Sequence, residues 1–298
     1  MKLSIVIPSY NSQDNLEKNL IALKDQINDL ETEVIVVDCS SHDKVDKICF
    51  QYDFVRFIKI KERFNPGKGR NIGANVAKGQ YLVFSDSDVV LEKNSITNII
   101  KHVSQGYKIF GGALELDKKR SEPNLSSYIE HYYFNHESQA SRKPQKRSNL
   151  SSALMIVERE LFLSINGFSD IPRMQDTELT ERMRSLGYDL YFFPDVIGYQ
   201  IQDSPINKVL SKIFITGNNL YFLRYKKKNY NIMKVIFTIL LPIMMLYKIT
   251  RINLRNMKYS KSYLMFFILC PLMYGCGLVW MLGFYKGLFF SKGITSGR

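Results

Sequence analysis

The sequence predicts an α/β fold: a mainly parallel sheet flanked by helices, followed by C-terminal membrane-associated helices. Three observations predict it. Short apolar runs alternate with helix-forming stretches up to Asp203, the pattern of strand and crossover helix. One such run, Tyr81–Ser85, leads straight into Asp86 and Asp88, a carboxylate pair at a strand end. All 28 acidic residues lie at or before Asp203, and the chain beyond it carries 15 basic residues and long apolar stretches.

In chain order, strands are expected over 3–8, 33–38, 55–60, 81–85 and 109–116, with helices over 13–30, 43–52, 68–77 and 95–105 between them. Asp14 and Asp43 suit helix caps or first turns, and Gly79 suits a left-handed C-terminal cap. Residues 118–147 form a polar insert with an aromatic cluster, Tyr128, Tyr132, Tyr133 and Phe134. It reads as a solvated helix and loop, or as a loop that orders when a ligand binds. A strand over 153–157 and a helix over 159–166 stopped by Gly167 follow. Leu179, Met183 and Leu186 recur at helical spacing before Gly187.

The tail holds two apolar runs. Residues 263–285 are 23 uncharged residues, enough to span a bilayer. Residues 235–247 number only 13 between two lysines, a length that suits a re-entrant or interfacial segment unless Lys234 and Lys248 snorkel. The basic linker 248–261 opposes a two-span arrangement, which would place it outside against the positive-inside rule. Residues 204–225 look amphipathic, suited to the membrane surface. The organisation expected is an α/β domain over 1–203, divided at 116/117 into two halves. An interfacial linker covers 204–234 and membrane-associated helices cover 235–298.

Charge supports this division. The 298 residues carry a formal net charge of +13, but 26 basic residues nearly balance 28 acids up to Asp203. A basic, apolar tail points to anionic lipids rather than nucleic acid. The four cysteines, Cys39, Cys49, Cys270 and Cys276, form no C-x-x-C pair, which suits reduced thiols in a cytosol-facing protein. Met1-Lys2 leads directly into a strand without a signal-peptide pattern, so the α/β domain is expected in the cytoplasm.

Two carboxylates at a strand's carboxyl end form a hard-oxygen site suited to Mg²⁺ or Mn²⁺; the same residues also suit a turn. In open α/β sheets ligands bind beyond such ends, where Asp38, Asp86 and Asp88 all fall. The ordered blocks Leu3-Ser4-Ile5-Val6-Ile7-Pro8-Ser9-Tyr10-Asn11, Glu33-Val34-Ile35-Val36-Val37-Asp38-Cys39-Ser40-Ser41, Arg70-Asn71-Ile72-Gly73 and Ser85-Asp86-Ser87-Asp88 resemble family 2 glycosyltransferases of the GT-A type. The block 174–187 resembles that family's acceptor-binding half, with Gln175 in place of the usual first acid and Asp176 as the second.

The resemblance implies inverting, metal-dependent transfer of a single sugar from a nucleotide-sugar donor to a glycan or lipid-linked acceptor at the cytoplasmic membrane face. It implies Asp88 as metal ligand and Asp86 on the ribose or metal. Asp38 would bond the base, with Pro8, Tyr10 and Asn11 shaping its pocket. Arg70 would neutralise phosphate, and Asp176 would be the catalytic base. A helix cap is the plainer reading of Asp176, and a surface position that of Arg70. The same resemblance makes 1–116 the nucleotide-sugar-binding half and 117–203 the acceptor-side half. The chain departs from the family at the third metal ligand, where Gln200 stands for the histidine or the ligand is absent, and it lacks the Q-x-x-R-W motif of processive synthases. The histidines at 42, 102, 131 and 136 read as surface or loop residues. Alternatives are a polyprenyl-phosphate sugar synthase and a non-catalytic sugar-nucleotide-binding membrane protein. A dinucleotide-binding oxidoreductase lacks its G-x-G-x-x-G after the first strand.

Overall fold

A computed structural model describes residues 2–27, 31–42, 44–224, 231–259, 263–291 and 293–295. The cap expected at Asp43, the helix end near Leu30 and the basic residues 225–228 lie outside these. The chain folds into two compact units. The first comprises Met1–Asp117, Arg142–Asp170 and Gln175–Ile201; the second comprises Lys118–Ser141, Ile171–Met174 and Gln202–Arg298.

The first unit is built on a nine-stranded sheet. Strands β1 (Leu3–Ser9), β2 (Thr32–Asp38), β3 (Val55–Lys59) and β4 (Tyr81–Ser85) form its parallel half in the order β3-β2-β1-β4. Strands β5 (Val89–Leu91), β6 (Ile109–Leu116), β7 (Gln145–Arg147), β8 (Leu154–Glu158) and β9 (Leu190–Gln200) extend it, so that the whole sheet is mixed. β8 runs antiparallel to both β4 and β6, β6 runs parallel to β9, and β5 and β7 run antiparallel to β9. β1 is a continuous apolar run because it is buried on both faces. Its alternate side chains feed two layers. Ile5 and Ile7 join Leu16, Leu20 and Leu23 of helix α1 (Gln13–Ile27), whereas Val6 joins Ala74, Phe84 and Phe162 on the other face.

The helices α2 (Lys44–Cys49), α3 (Pro66–Val76), α4 (Ser95–Ser104), α6 (Arg159–Ser164) and α7 (Gln175–Ser185) complete this unit, and α5 (Leu125–Phe134) belongs to the other. α3 begins with Pro66 in its first turn, and Asn65 caps it by accepting the Lys68 amide at 2.9 Å. Gly79 does not cap α3 in a left-handed conformation. It is needed for close approach, since a Cβ there would stand 2.6 Å from the β1 backbone at Leu3 and Ser4. Gly167 and Gly187, by contrast, have φ of +57° and +88° and end α6 and α7 as their sequence positions suggest.

Parallel register aligns Ser9 with Asp38 and Val6 with Phe84, so β1, β2 and β4 end at one edge of the sheet. The site is assembled there.

The second unit packs α5, α8 (Ile206–Arg224), α9 (Asn231–Tyr259) and α10 (Tyr263–Phe289) around Tyr132, Tyr133, Val209, Ile213, Ile249, Trp280 and Phe284. Three expectations change here. The insert is not a solvated helix: α5 buries Ile129, Tyr132 and Tyr133 in this core, and Asn124 with Ser127 closes a capping box at its start. The apolar face of α8 is covered by α10 rather than free for a membrane surface; Phe214 and Asn218 touch Gly283 and Gly287 so closely that a Cβ on either glycine would clash. Finally, residues 235–247 are not a short separate segment. α9 continues through Pro242 and through most of the supposed 248–261 linker to Tyr259, which makes both α9 and α10 long and apolar enough to cross a membrane.

Two histidines also differ from expectation. His102 is buried in α4, stacked on Phe193 at 3.8 Å and paired with Asp195 at 2.9 Å, while His131 is buried in α5. Both lie on helix faces that the local sequence pattern alone does not mark as inward.

Candidate active site

β4 ends at Ser85, so strand alternation does not aim the two aspartates. Asp86, Ser87 and Asp88 form a turn closed by the Val89 amide donating to Asp86 O at 3.0 Å. The chain then re-enters the sheet as β5. Asn19, buried in α1, fixes this turn by donating to Val89 O at 2.7 Å and to Asp86 O at 3.3 Å. Its polarity in the middle of an apolar helix stripe is the one sequence signal that marked it. The same residues are thus both turn and carboxylate pair.

Arg70 projects from α3 onto this turn and forms an ion pair with Asp86. It is not a surface residue: its side chain is 4% exposed, lies 5.5 Å from the Phe168 ring centre and reaches a carboxylate that is a third exposed. Asp176 is the second residue of α7, inside the first turn rather than at the cap. Its Oδ1 accepts the Thr177 amide at 2.7 Å. Burial pushes its carboxyl above the ordinary aspartate value of 3.8; Asp86 adds to that rise, and the Thr177 amide and Arg70 oppose it. The fold therefore brings Arg70, Asp86 and Asp176 into one electrostatic cluster from α3, the β4 turn and α7.

Gln175 ties two of these elements together. Its Oε1 accepts the Gly67 amide at 3.0 Å, and its Nε2 donates to Asn65 Oδ1 at 2.6 Å. One amide side chain so holds the start of α7 against the capped start of α3. An acid in this position would supply the acceptor but not the donor. Asn65 also donates to Asp170 at 2.8 Å.

A second group stands at the ends of β1 and β2. Asp38 is fully buried with both oxygens engaged: Oδ1 accepts from Ser40 Oγ at 2.7 Å, and Oδ2 accepts from the Ser40 amide at 3.1 Å and Lys59 Nζ at 2.9 Å. Ser40 Oγ in turn accepts the Asn11 amide at 2.7 Å, which holds Asn11 at φ +50°, a conformation asparagine tolerates. Pro8 is half-buried at the end of β1. Tyr10 is 39% exposed, with Arg63 4.5 Å from its ring centre. Arg63 and Lys59 are the residues sequence reasoning missed here. Nearby Cys49 is buried and its thiol is pushed up to about 12, chiefly by burial and then by Asp38 and Asp46, which suits an inert structural thiol.

Asp88 meets the third expected ligand position. Gln200, the last residue of β9, donates through Nε2 to Asp88 Oδ2 at 3.4 Å, and the Ile201 amide donates to Asp88 O at 2.8 Å. Among the described residues no group of three or more His, Cys, Asp or Glu side chains gathers as a metal cage. What is present is a carboxylate and an amide side chain beside a second carboxylate. That donor set fits Mg²⁺ or Mn²⁺, which take one or two carboxylates and complete their shell with phosphate oxygens and water.

The parallel half-sheet with these residues at its carboxyl edge is an open α/β unit of the kind in which ligands bind beyond the strand ends. The description of glycosyl transferase family 2 matches residues 4–165, more than half of the chain, and the chain belongs to that family. Among curated proteins it is 40% identical over 104 residues to the uncharacterized glycosyltransferase YfnE of Bacillus subtilis, covering 34% of this chain and 26% of that protein. It is 27% identical over 222 residues to the glycosyltransferase AglE of Haloferax volcanii, covering 72% and 71%. It is 27% identical over 176 residues to the GalNAc(5)-diNAcBac-PP-undecaprenol beta-1,3-glucosyltransferase of Campylobacter jejuni, covering 57% and 55%. The chain thus spans about a quarter of the first of these and over half of the others. In fold it is similar to the mannosyltransferase PcManGT of Pyrobaculum calidifontis, solved with GDP-Man and Mn²⁺, at TM-score 0.65 and 15% identity over 98% of this chain and 88% of that one. It is also similar to TarS 1-349 of S. aureus with UDP-GlcNAc, at TM-score 0.57 and 16% identity over 100% and 95%.

Proposed function

We propose that this chain transfers a single sugar, with inversion, from a nucleotide-sugar donor to a lipid-linked acceptor at the cytoplasmic membrane face. The observation that carries the reading is the cluster of Arg70, Asp86 and Asp176, in which burial raises the pKa of a carboxylate at the carboxyl edge of the sheet. A base poised in this way accepts the proton of the acceptor hydroxyl as its oxygen attacks the anomeric carbon. The bond from that carbon to the donor phosphate breaks, and the nucleoside diphosphate leaves with the electron pair.

Arg70 supplies fixed positive charge beside the leaving group, with Asp86 holding its orientation. Tyr10 and Arg63 offer the exposed stacking surface for a base, and Asp38 supports it by holding Ser40 and Asn11 in place. Asp88 and Gln200 would hold a divalent cation, whose charge would stabilise the departing diphosphate. The pairing of Mn²⁺ with a nucleotide sugar in PcManGT supports that assignment. The undecaprenol in the Campylobacter relative's name, together with two apolar helices long enough for a membrane, supports a lipid-linked acceptor.

The test is a panel of sugar nucleotides offered to the purified full chain with Mg²⁺ or Mn²⁺, read by calorimetry and by release of nucleoside diphosphate. One donor is expected to bind in a divalent-dependent way. Asp88→Ala should weaken that binding by at least about tenfold, or 1.4 kcal/mol, with the melting temperature retained. Undiminished affinity in this variant removes Asp88 from the metal site.

A further inference from the structure

α9 presents three distinct sides. Met245 and Ile249 are buried toward α10, where Gly277 admits them. A second side is polar and meets residues 132–141. Lys248 donates to Tyr133 Oη at 2.9 Å, Arg255 pairs with Glu137, and Asn256 accepts from Gln139 at 2.9 Å. At the end of the helix, Ser141 Oγ donates to Tyr259 O at 2.7 Å. The third side is bare and apolar: Ile239, Ile243 and Leu254 are 66%, 63% and 55% exposed. α10 repeats the division. Gly283 and Gly287 face α8, while Phe267, Leu278 and Leu282 point away at 71%, 50% and 56% exposure.

The covering elements reach both ends of this hairpin. Residues 132–141 cover the C-terminal part of α9, and α8 covers the C-terminal part of α10. There Ser291 Oγ donates to Asn218 at 2.5 Å and Asn219 Nδ2 donates to Thr295 O at 2.8 Å. A helix of 27 residues such as α10 is about 40 Å long at 1.5 Å per residue, so a hairpin crossing the bilayer would carry its cover across as well. That cover, with the turn of α5 that leads into it, includes Glu130, His131, Glu137 and the non-helical stretch 135–141. Acidic side chains are costly in hydrocarbon, and irregular backbone there needs internal partners. Both ends of residues 118–141 also continue by the chain into the sheet-bearing unit, so this segment would have to cross twice.

We propose that the α9–α10 hairpin does not cross the membrane but lies along it, with its bare apolar stripes in one leaflet and its polar cover on the aqueous side. The inference rests on the membrane attachment proposed above and fixes its geometry. The occupant of the bare face is an anionic bilayer, because the chain beyond Asp203 carries 15 basic residues and no acid. The same arrangement keeps Lys248, Arg251, Arg255 and Lys258 on one side of the membrane, so that no basic linker has to be translocated.

The test measures depth at the middle and near one end of one helix. Leu246→Cys and Met257→Cys, both exposed, are each labelled with a fluorophore in the full chain, with the wild type as background for native cysteines. The proteins are reconstituted in phosphatidylcholine–phosphatidylglycerol vesicles brominated at different acyl depths. The expected result is quenching at both positions with depths equal within about one helical turn, 5.4 Å. A depth difference of about 16 Å, the rise of the intervening residues at about 1.5 Å each, would show a crossing helix; it would overturn the proposal and leave attachment standing. Protein that neither floats with the vesicles nor is quenched at either position, for example a soluble dimer closed over this face, overturns both the in-plane hairpin and the attachment beneath it.

Discussion

At the scale of single residues, Asp176 joins pH to chemistry. Its carboxyl is raised by burial, and only the ionised form can accept a proton, so transfer should fall as the pH drops through that raised value. The acid limb of the rate profile should therefore lie above the ordinary aspartate value of 3.8. The stability sign is opposite. A carboxyl whose pKa rises on folding gains stability from its protonated form, and that gain is lost as pH rises through the folded pKa. Asp176→Asn mimics the neutral form and keeps the oxygen that accepts the Thr177 amide. It should retain donor affinity and melt no lower than wild type at neutral pH, while turnover drops by roughly 10²–10⁴-fold. Near-normal turnover would move the base elsewhere. Gln175→Glu makes a different prediction. The carboxylate can still accept the Gly67 amide but faces Asn65 Oδ1 with no proton to give, so α3 and α7 separate at their starts. The expected cost is about 1–3 kcal/mol, read as a lower melting temperature, with kcat falling more than donor affinity because Arg70 and Asp176 are displaced relative to each other. Equal stability and kcat would reduce Gln175 to a spectator.

At the scale of elements, the closest contact is between α8 and α10. Gly283 lies against the Phe214 backbone, where no Cβ fits, whereas nothing stands within 4 Å of a Cβ at Gly275 in the same helix. Gly283→Leu should destabilise detergent-solubilised protein by roughly 1–3 kcal/mol or more through overpacking, and Gly275→Leu should leave the melting temperature near that of wild type. Equal effects would mean that the two helices do not pack through Gly283. The pair matters for placement because α8 resembles a surface-bound amphipathic helix by composition alone. Its buried Val209, Ile213 and Phe222 fit the apolar pattern, but the pattern does not say what covers them.

At the scale of the whole molecule, the cut that sequence suggests is not a clean one. Truncation after Asp203 keeps every candidate site residue but removes α8, α9 and α10 from over α5. Ile129, Tyr132 and Tyr133, now buried in that core, would become solvent-exposed. The truncated chain should aggregate on size-exclusion chromatography. Replacing these three residues with polar ones should restore a monomer that still binds donor. A soluble, monodisperse truncation without those changes would show that α5 does not depend on the tail.

The sequence by itself determined the parallel half of the sheet, because β1, β2 and β4 are apolar on both faces and end in polar residues at one edge. Family membership and the set Arg70, Asp86, Asp88 and Asp176 were legible for the same reason: short ordered blocks fix their chemistry locally. The tertiary structure decided what depends on distant partners. Asn19 reaches the Asp86 turn across 67 positions, Gln175 reaches Gly67 across 108, and Ser141 reaches Tyr259 across 118. No local periodicity encodes such pairings. The same holds for the partners of Asp38, whose oxygens accept from Ser40 and from the distant Lys59. It holds equally for α9, where a count of 13 apolar residues missed a helix that continues past Lys248, because that lysine is accommodated by Tyr133 and Trp280 from elsewhere in the chain.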